Sequence, residues 1–325
     1  MRQGENEGRL CEMSASERAE PVWHAQREQS AGRWRLQLLW WLYVALGKTA
    51  LKLALVPVMA CIYPFAAPAK RALRRYYARL GVRHPPLFRH LLGFAWSLAD
   101  KTDACTRRTH LPAMTVRDDA DARAFQALVA AHRGAFLIST HLGTIEVLPA
   151  LAADGTPHVH AFQQLGHDAL FTRLFLRHLD TSRLTLHAVE EIGVETAVRM
   201  QEAIARGDLV LMAGDRVSAG SGRTLEQPFL GQPCAWPKGV FAFARLMDCP
   251  VFFVTCVRTG WNAYVCHFRA CAAPRAPLAE MLAQYAAFLE EETRAFPAQW
   301  YQFYDFFAPP SRPFRRARSA DHSAG

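Results

Sequence analysis

Three short runs are apolar almost from end to end: AFLIST at 135–140, DLVLMAG at 208–214 and VFFVTCVR at 251–258. A strand with one wet face alternates polar and apolar residues, whereas a strand buried on both faces has no polar side to show. These runs therefore predict central strands of a sheet covered on both sides. HVHAFQQ (158–164) and NAYVCHFRAC (262–271) read as further strands. Between them the period changes. VETAVRMQEAIARG reads as a helix closed by Gly207, PKGVFAFARLM as one opened by Pro237, and APLAEMLAQYAAFLEEETRAF as a long amphipathic one. GTIEVLPALAA and HDALFTRLFLRHL carry the same helical signal. Alternating strands and helices predict an α/β class fold: a mostly parallel central sheet flanked by helices, closed by one antiparallel pair.

The charge is informative once it is located. The chain has 38 Lys and Arg against 29 Asp and Glu, a net +9. Nine of the basic residues and no acidic one fall between Arg33 and Leu80, so the remainder balances, with 38 − 9 = 29 basic residues against 29 acidic. The same segment is the most apolar in the chain, with Trp34, Trp40, Trp41 and Tyr43 near one end and Tyr76 and Tyr77 near the other. Basic clusters and aromatic residues flanking apolar stretches suit a membrane surface carrying anionic lipids. From Leu53 to Ala69 an uncharged run of 17 residues sits at the lower limit for a spanning helix. Lys48 and Lys52 interrupt the run before it, and Pro57, Pro64 and Pro68 punctuate it. A single kinked N-terminal span and a deep interfacial helix both fit. A mostly polar stretch of 32 residues precedes the segment, which is unlike a signal peptide. The expected organisation is a flexible polar tail (1–32), a membrane-anchoring helical segment (33–80), a catalytic domain (81–310) and a disordered basic tail (311–325). Because the basic excess is confined to a greasy segment, no nucleic-acid partner is expected.

Half of the residues are hydrophobic, enough for a sizeable core. The eight cysteines show no CxxC pair and no zinc-type spacing with histidine. Cys249, Cys256, Cys266 and Cys271 fall in or beside apolar stretches and read as reduced, small core hydrophobes, and no metal is expected.

Functional residues of parallel sheets gather at the carboxyl ends of the strands. His141 follows AFLIST directly, Gly143 permits close approach of a ligand, and Glu146 lies five residues beyond the histidine. A carboxylate one helical turn on can hold one imidazole nitrogen and leave the other to take a proton from a hydroxyl. That is half of a triad with no protein nucleophile, so the base would act on a substrate alcohol directly. The same spacing also fits a histidine that caps a helix. A second constellation, AGDRVSAGSGRTLEQPFLGQPCAWPKG (213–239), follows a strand and is rich in glycine. It lacks the Lys-Ser/Thr ending of a phosphate loop. Its Arg216 and Arg223 suit a phosphate or carboxylate, while Asp215 and Arg216 also fit a surface turn with an ion pair.

Taken together, HLGTIE, GDR, PFLGQPCAWPKG and the closing PAQWYQFYDFF resemble the bacterial lipid A biosynthesis (lauroyl and myristoyl) acyltransferases, within the glycerolipid acyltransferase-like superfamily. The resemblance runs from about residue 33 to Phe307. It implies an enzyme on the cytoplasmic face of the bacterial inner membrane, with a hydrophobic acyl groove. Such an enzyme moves a fatty acyl group from acyl carrier protein, or from coenzyme A, to a hydroxyl of a lipid or glycolipid; the thioester is a co-substrate and no cofactor is needed. By position, the resemblance makes His141 the general base and Glu146 its orienting carboxylate. Gly143, Thr144, Asp215, Arg216, Arg223 and Gly239 are then substrate-binding residues. Thr144 and Ile145 replace the Asn-Trp usual in that family, and Arg216 replaces a Gln, which points to an outlying branch that accompanies aryl-polyene or related acyl lipids. Donors for the developing oxyanion are expected near Gly143 or from an arginine. The alternatives are a membrane-associated glycosyltransferase, whose Asp-x-Asp signature occurs only in the DDADA turn at 118–122, and a non-catalytic lipid-binding scaffold of the same fold.

Overall fold

A computed structural model describes residues 33–106, 113–145, 157–163, 184–217 and 223–307. The tails expected at 1–32 and 311–325, and the helix expected at 167–179, lie outside the described residues, as does most of the one expected after His141. Helices α1 (Arg33–Ile62), α2 (Ala67–Arg79) and α3 (Leu87–Thr106) precede the sheet. They are followed by β1 (Ala113–Val116), α4 (Ala120–Ala130), β2 (Ala135–Gly143), β3 (Val159–Gln163) and β4 (Leu184–Ala188). Next come α5 (Val194–Ala205), β5 (Leu209–Ala213), the hairpin β6 (Thr224–Phe229) and β7 (Gln232–Pro237), and α6 (Lys238–Leu246). Strands β8 (Val251–Arg258) and β9 (Ala263–Ala270) and the long α7 (Leu278–Ala295) complete the described chain.

Seven strands form one sheet in the order β1-β9-β8-β2-β5-β3-β4, parallel throughout except for the β8–β9 pair. This is the expected architecture. The three apolar runs are its three adjacent central strands β8, β2 and β5. The period of two along β2 splits the core in half. Phe136 and Ile138 face a cluster with Val210, Met212 and Phe253, covered by α5, α6 and α7. Ala135 and Leu137 face a second cluster with Leu211, Val254 and Phe252, covered by Phe125 and Leu128 of α4.

The hairpin was not expected. Within the glycine-rich stretch 213–239 two strands join through Leu230 and Gly231, with φ of 49° and 75°. Two consecutive positive φ values match the right-handed twist of a two-residue hairpin turn.

The anchor segment also differs from expectation in what its lysines do. Helix α1 breaks at Gly47 (φ 80°) and its second half runs antiparallel along α3. Tyr43 donates to Asp103 (2.9 Å), Lys48 pairs with Asp103 (2.8 Å) and Lys52 with Asp100 (2.6 Å). Trp96 of α3 donates to the carbonyl of Lys52, and Phe88 meets Tyr63 edge-on. Lys48 and Lys52 are buried, not turned toward lipid head groups. Outward, the helix exposes Trp41, Leu46, Leu53, Val58, Ile62 and the terminal Phe65 (83 % exposed). By length and composition the stretch Trp41–Phe65 is sufficient to cross a membrane.

Candidate functional site

Register explains the site. β2 and β5 are parallel neighbours with Ser139 opposite Ala213. Two residues past that pair on each strand stand His141 and Asp215, brought side by side at the carboxyl end of the sheet. The Asp215 carboxylate is fully buried and holds the histidine twice: Oδ1 lies 2.6 Å from ring Nδ1, and Oδ2 accepts the His141 backbone N–H at 2.8 Å. Oδ2 also accepts the indole N–H of Trp300 at 3.0 Å. Burial alone would raise the Asp215 pKa, but the nearby His141 charge and the donated hydrogen bonds outweigh it and hold the carboxyl below its ordinary value. With Nδ1 engaged, Nε2 is the remaining ring nitrogen of an imidazole whose side chain is about a third exposed (32 %).

This places Asp215 differently from expectation. Both its oxygens are taken by protein donors in a buried site, so its carboxylate supports the histidine. Glu146, expected in that supporting role, lies outside the described residues. Gly143 meets its expected demand for a close approach, but the approach is to protein. Its φ is 79°, and a Cβ there would lie 2.0 Å from the Cys256 carbonyl oxygen of β8. Thr144 is buried and donates its backbone N–H to the same oxygen (2.8 Å). The amides of His141, Leu142 and Thr144 are all committed, to Asp215, the Thr140 hydroxyl and Cys256 respectively, so none of the three is free for an oxyanion.

Arg216 reaches the C-terminal segment. Its guanidinium donates to Gln302 Oε1 (3.0 Å) and to the Tyr301 carbonyl (3.3 Å), and lies over the Tyr304 ring. Arg223, exposed at the start of the hairpin, gives its carbonyl to Lys238 N–H. Gly239 stands in the first turn of α6 with open space where a Cβ would be. The structure thus brings His141, Gly143, Thr144, Asp215 and Arg216 together, whereas Arg223 and Gly239 stand at the start of the hairpin and in the first turn of α6.

Sequence reasoning missed the segment that closes the site. Residues 299–307, quoted above only as part of a resemblance, lie against it. Leu142 bridges to Trp300, the Tyr301 N–H donates to the His141 carbonyl, and the Gln302 side-chain amide donates to the Asp215 carbonyl. Behind Trp300 stands the buried His90, whose Nε2 meets the Trp300 carbonyl and whose Nδ1 meets the Tyr77 hydroxyl, both at 3.0 Å. A carbonyl only accepts, so Nε2 carries the proton and the Tyr77 hydroxyl donates to Nδ1. Burial pushes the His90 pKa down to about 4.

The DDADA turn has a local job: Asp119 caps α4 through the Ala122 N–H (2.8 Å) and Asp118 pairs with Arg123. A cavity of about 390 Å³, lined in part by Arg133, Cys249, Val251 and Arg275, opens at the amino end of β2 and β8. That is the pole of the sheet opposite His141. Among the described residues no three His, Cys, Asp or Glu side chains are placed to hold a metal ion.

No protein-family model and no curated protein matches the chain. Among solved structures it is similar to the 1-acyl-sn-glycerophosphate (LPA) acyltransferase PlsC from Thermotoga maritima. The TM-score is 0.35 and the identity 12 %, over 78 % of this chain and 100 % of that one.

Proposed function

We propose that the protein is a membrane-associated O-acyltransferase that moves a fatty acyl, or related polyene acyl, group from a thioester to a lipid or glycolipid hydroxyl. One observation carries this: a partly exposed imidazole whose Nδ1 is fixed by a buried, ionised carboxylate at the carboxyl end of a parallel sheet. In the neutral ring Nδ1 carries the proton toward Asp215, so Nε2 presents its lone pair. Nε2 takes the proton of the acceptor hydroxyl as its oxygen attacks the thioester carbonyl. The tetrahedral intermediate then collapses, the carbon–sulfur bond breaks, and the imidazolium returns the proton to the leaving thiolate. No covalent enzyme intermediate forms. Asp215 takes the orienting role that the sequence assigned to Glu146, and Arg216 braces the C-terminal segment in place of holding substrate. Acyl carrier protein or coenzyme A brings the thioester.

The packing of α1 favours an anchor that lies in one leaflet over one that crosses. Crossing away from the domain would strip Lys48 and Lys52 from their acidic partners and carry two charges into hydrocarbon, at a cost of several kcal/mol. Lying flat keeps both pairs and gives the exposed apolar face of Trp41 to Phe65 to lipid. The outward arginines of α2, Arg71, Arg74 and Arg79, suit anionic head groups of the cytoplasmic leaflet of the bacterial inner membrane.

The test is acyl transfer from acyl carrier protein to a membrane lipid extract, read by mass spectrometry. Wild type should add an acyl mass to one lipid, and His141→Ala should abolish this while the protein remains folded. Retained transfer in the variant would refute the mechanism. A sugar mass in place of the acyl mass would identify a glycosyltransferase instead, and an unchanged lipid profile a scaffold.

A further inference from the structure

Trp300 is 85 residues from Asp215 along the chain, yet it meets the His141–Asp215 pair at its least accessible point. Its indole N–H donates to Asp215 Oδ2 at 3.0 Å, the oxygen that also accepts the His141 amide, while Oδ1 is left to the ring. The indole is 1 % exposed and held from every side. Its ring contacts Tyr76, Phe229 and Phe306 with centroids 5.1–5.2 Å away, its carbonyl is held by His90, and Leu142 bridges to its backbone. An indole N–H has one partner to find, and here it is neither solvent nor a carbonyl but the charged oxygen of the buried carboxylate.

We propose that Trp300 is a positioning residue which sets both the orientation of Asp215 and the proton affinity of His141, so that the working unit is Trp300–Asp215–His141. The physical reason lies in the division of the two carboxylate oxygens. A carboxylate with its charge partly taken up by an indole donor attracts an imidazolium less than one without. The same donor pins Oδ2, and with it the rotation of the carboxylate that aims Oδ1 at Nδ1. Remove the N–H, and no water reaches Oδ2 to replace it. The remaining charge is then drawn to the imidazolium, which becomes harder to deprotonate, and the carboxylate is freer to turn. The neutral, correctly aimed base is thereby depleted twice.

This deepens the proposed general-base role of His141 and rests on it for its consequence in catalysis, but its central readout does not need turnover. Trp300→Phe keeps the ring packing and deletes the N–H. With ¹³C-labelled histidine, the His141 resonance, assigned by its absence in His141→Ala, should titrate in Trp300→Phe about half a unit to one unit higher than in wild type. The acid limb of kcat/KM should move with it, and the plateau of kcat should fall roughly tenfold. Phe306→Leu is the control for packing: it loosens the indole pocket and leaves the N–H, so the titration midpoint should stay put. An unmoved midpoint in Trp300→Phe, or an equal movement in Phe306→Leu, overturns the proposal. Should Trp300→Phe fail to fold, ¹⁵N-indole spectra of wild type decide instead: one indole proton must follow the His141 titration, and its absence overturns the proposal. If His141→Ala retains acyl transfer, the proposed function fails while the titration result stands on its own.

Discussion

Gly143→Ala should destabilise the protein and disable the site together, because one methyl group would occupy space that β8 already fills. The new Cβ would lie 2.0 Å from the Cys256 carbonyl oxygen, 2.7 Å from its carbon and 3.1 Å from Val257 Cα. All three are backbone atoms, so no side chain can swing aside. An alanine at φ 79° costs about 1–2 kcal/mol before any clash. Relieving the overlap means parting β2 from β8 by roughly 1 Å, which breaks the Thr144 N–H to Cys256 bond and strands a buried amide, at about 1–3 kcal/mol. The sum is about 2–5 kcal/mol, a large share of the stability of an ordinary domain. Chemical denaturation in mild detergent, with acyl transfer followed in parallel, reads both effects. Gly239→Ala is the matched control. Its Cβ would meet nothing within 4 Å, and in the first turn of α6 alanine should be neutral or stabilise by up to about 1 kcal/mol with activity kept. A Gly143→Ala midpoint within about 0.5 kcal/mol of wild type would refute the steric argument. A stable but inactive Gly239→Ala would place that residue against substrate after all.

His90 makes acid sensitivity predictable. Its folded pKa, about 4, lies below its ordinary 6.5, so the unfolded chain takes the proton first, and stability present above pH 6.5 is lost as pH falls toward 4. The loss reaches at most about 3 kcal/mol; His90→Gln should be less stable at pH 7 and lose less on acidification, and equal slopes would disprove the assignment. For the anchor, nitroxide labels at positions 41 and 65, on the protein bound to anionic vesicles, should report the same shallow depth. Labels in opposite leaflets, about 30 Å apart, would mean that the helix crosses.

The sheet was legible because its central strands show no alternation: in AFLIST, LVLMA and VFFVTCV only Ser139, Thr140 and Thr255 are polar, too few to make a wet face. His141 was legible for the same reason, as the first titratable residue after such a run. Its partner was not. Reading outward from the histidine finds Glu146 five residues on, whereas Asp215 lies 74 residues away and becomes a neighbour only when β2 and β5 pair in register. A signal did exist, since histidine and aspartate each follow their apolar run by the same short step, but using it requires knowing which strands are adjacent. The lysines of α1 misled in the same way. Their one-sided charge looked like a lipid contact because Asp100 and Asp103, which neutralise them, sit some fifty residues later in a helix with little sequence signature of its own. The hairpin escaped because its prolines and glycine resemble a loop, and the turn depends on positive φ at both Leu230 and Gly231, which the Leu does not advertise.

The closure of the site by residues 299–307 has a consequence for when the protein becomes competent. A nascent chain leaving the ribosome has made its base and its acid long before it makes the indole that braces them. Until Trp300 and Gln302 emerge and settle, the pair is an unsupported couple on a half-covered sheet. The anchor, by contrast, comes out first. Under the proposed function, the order of synthesis makes the anchor available to lipid before the centre is fully braced.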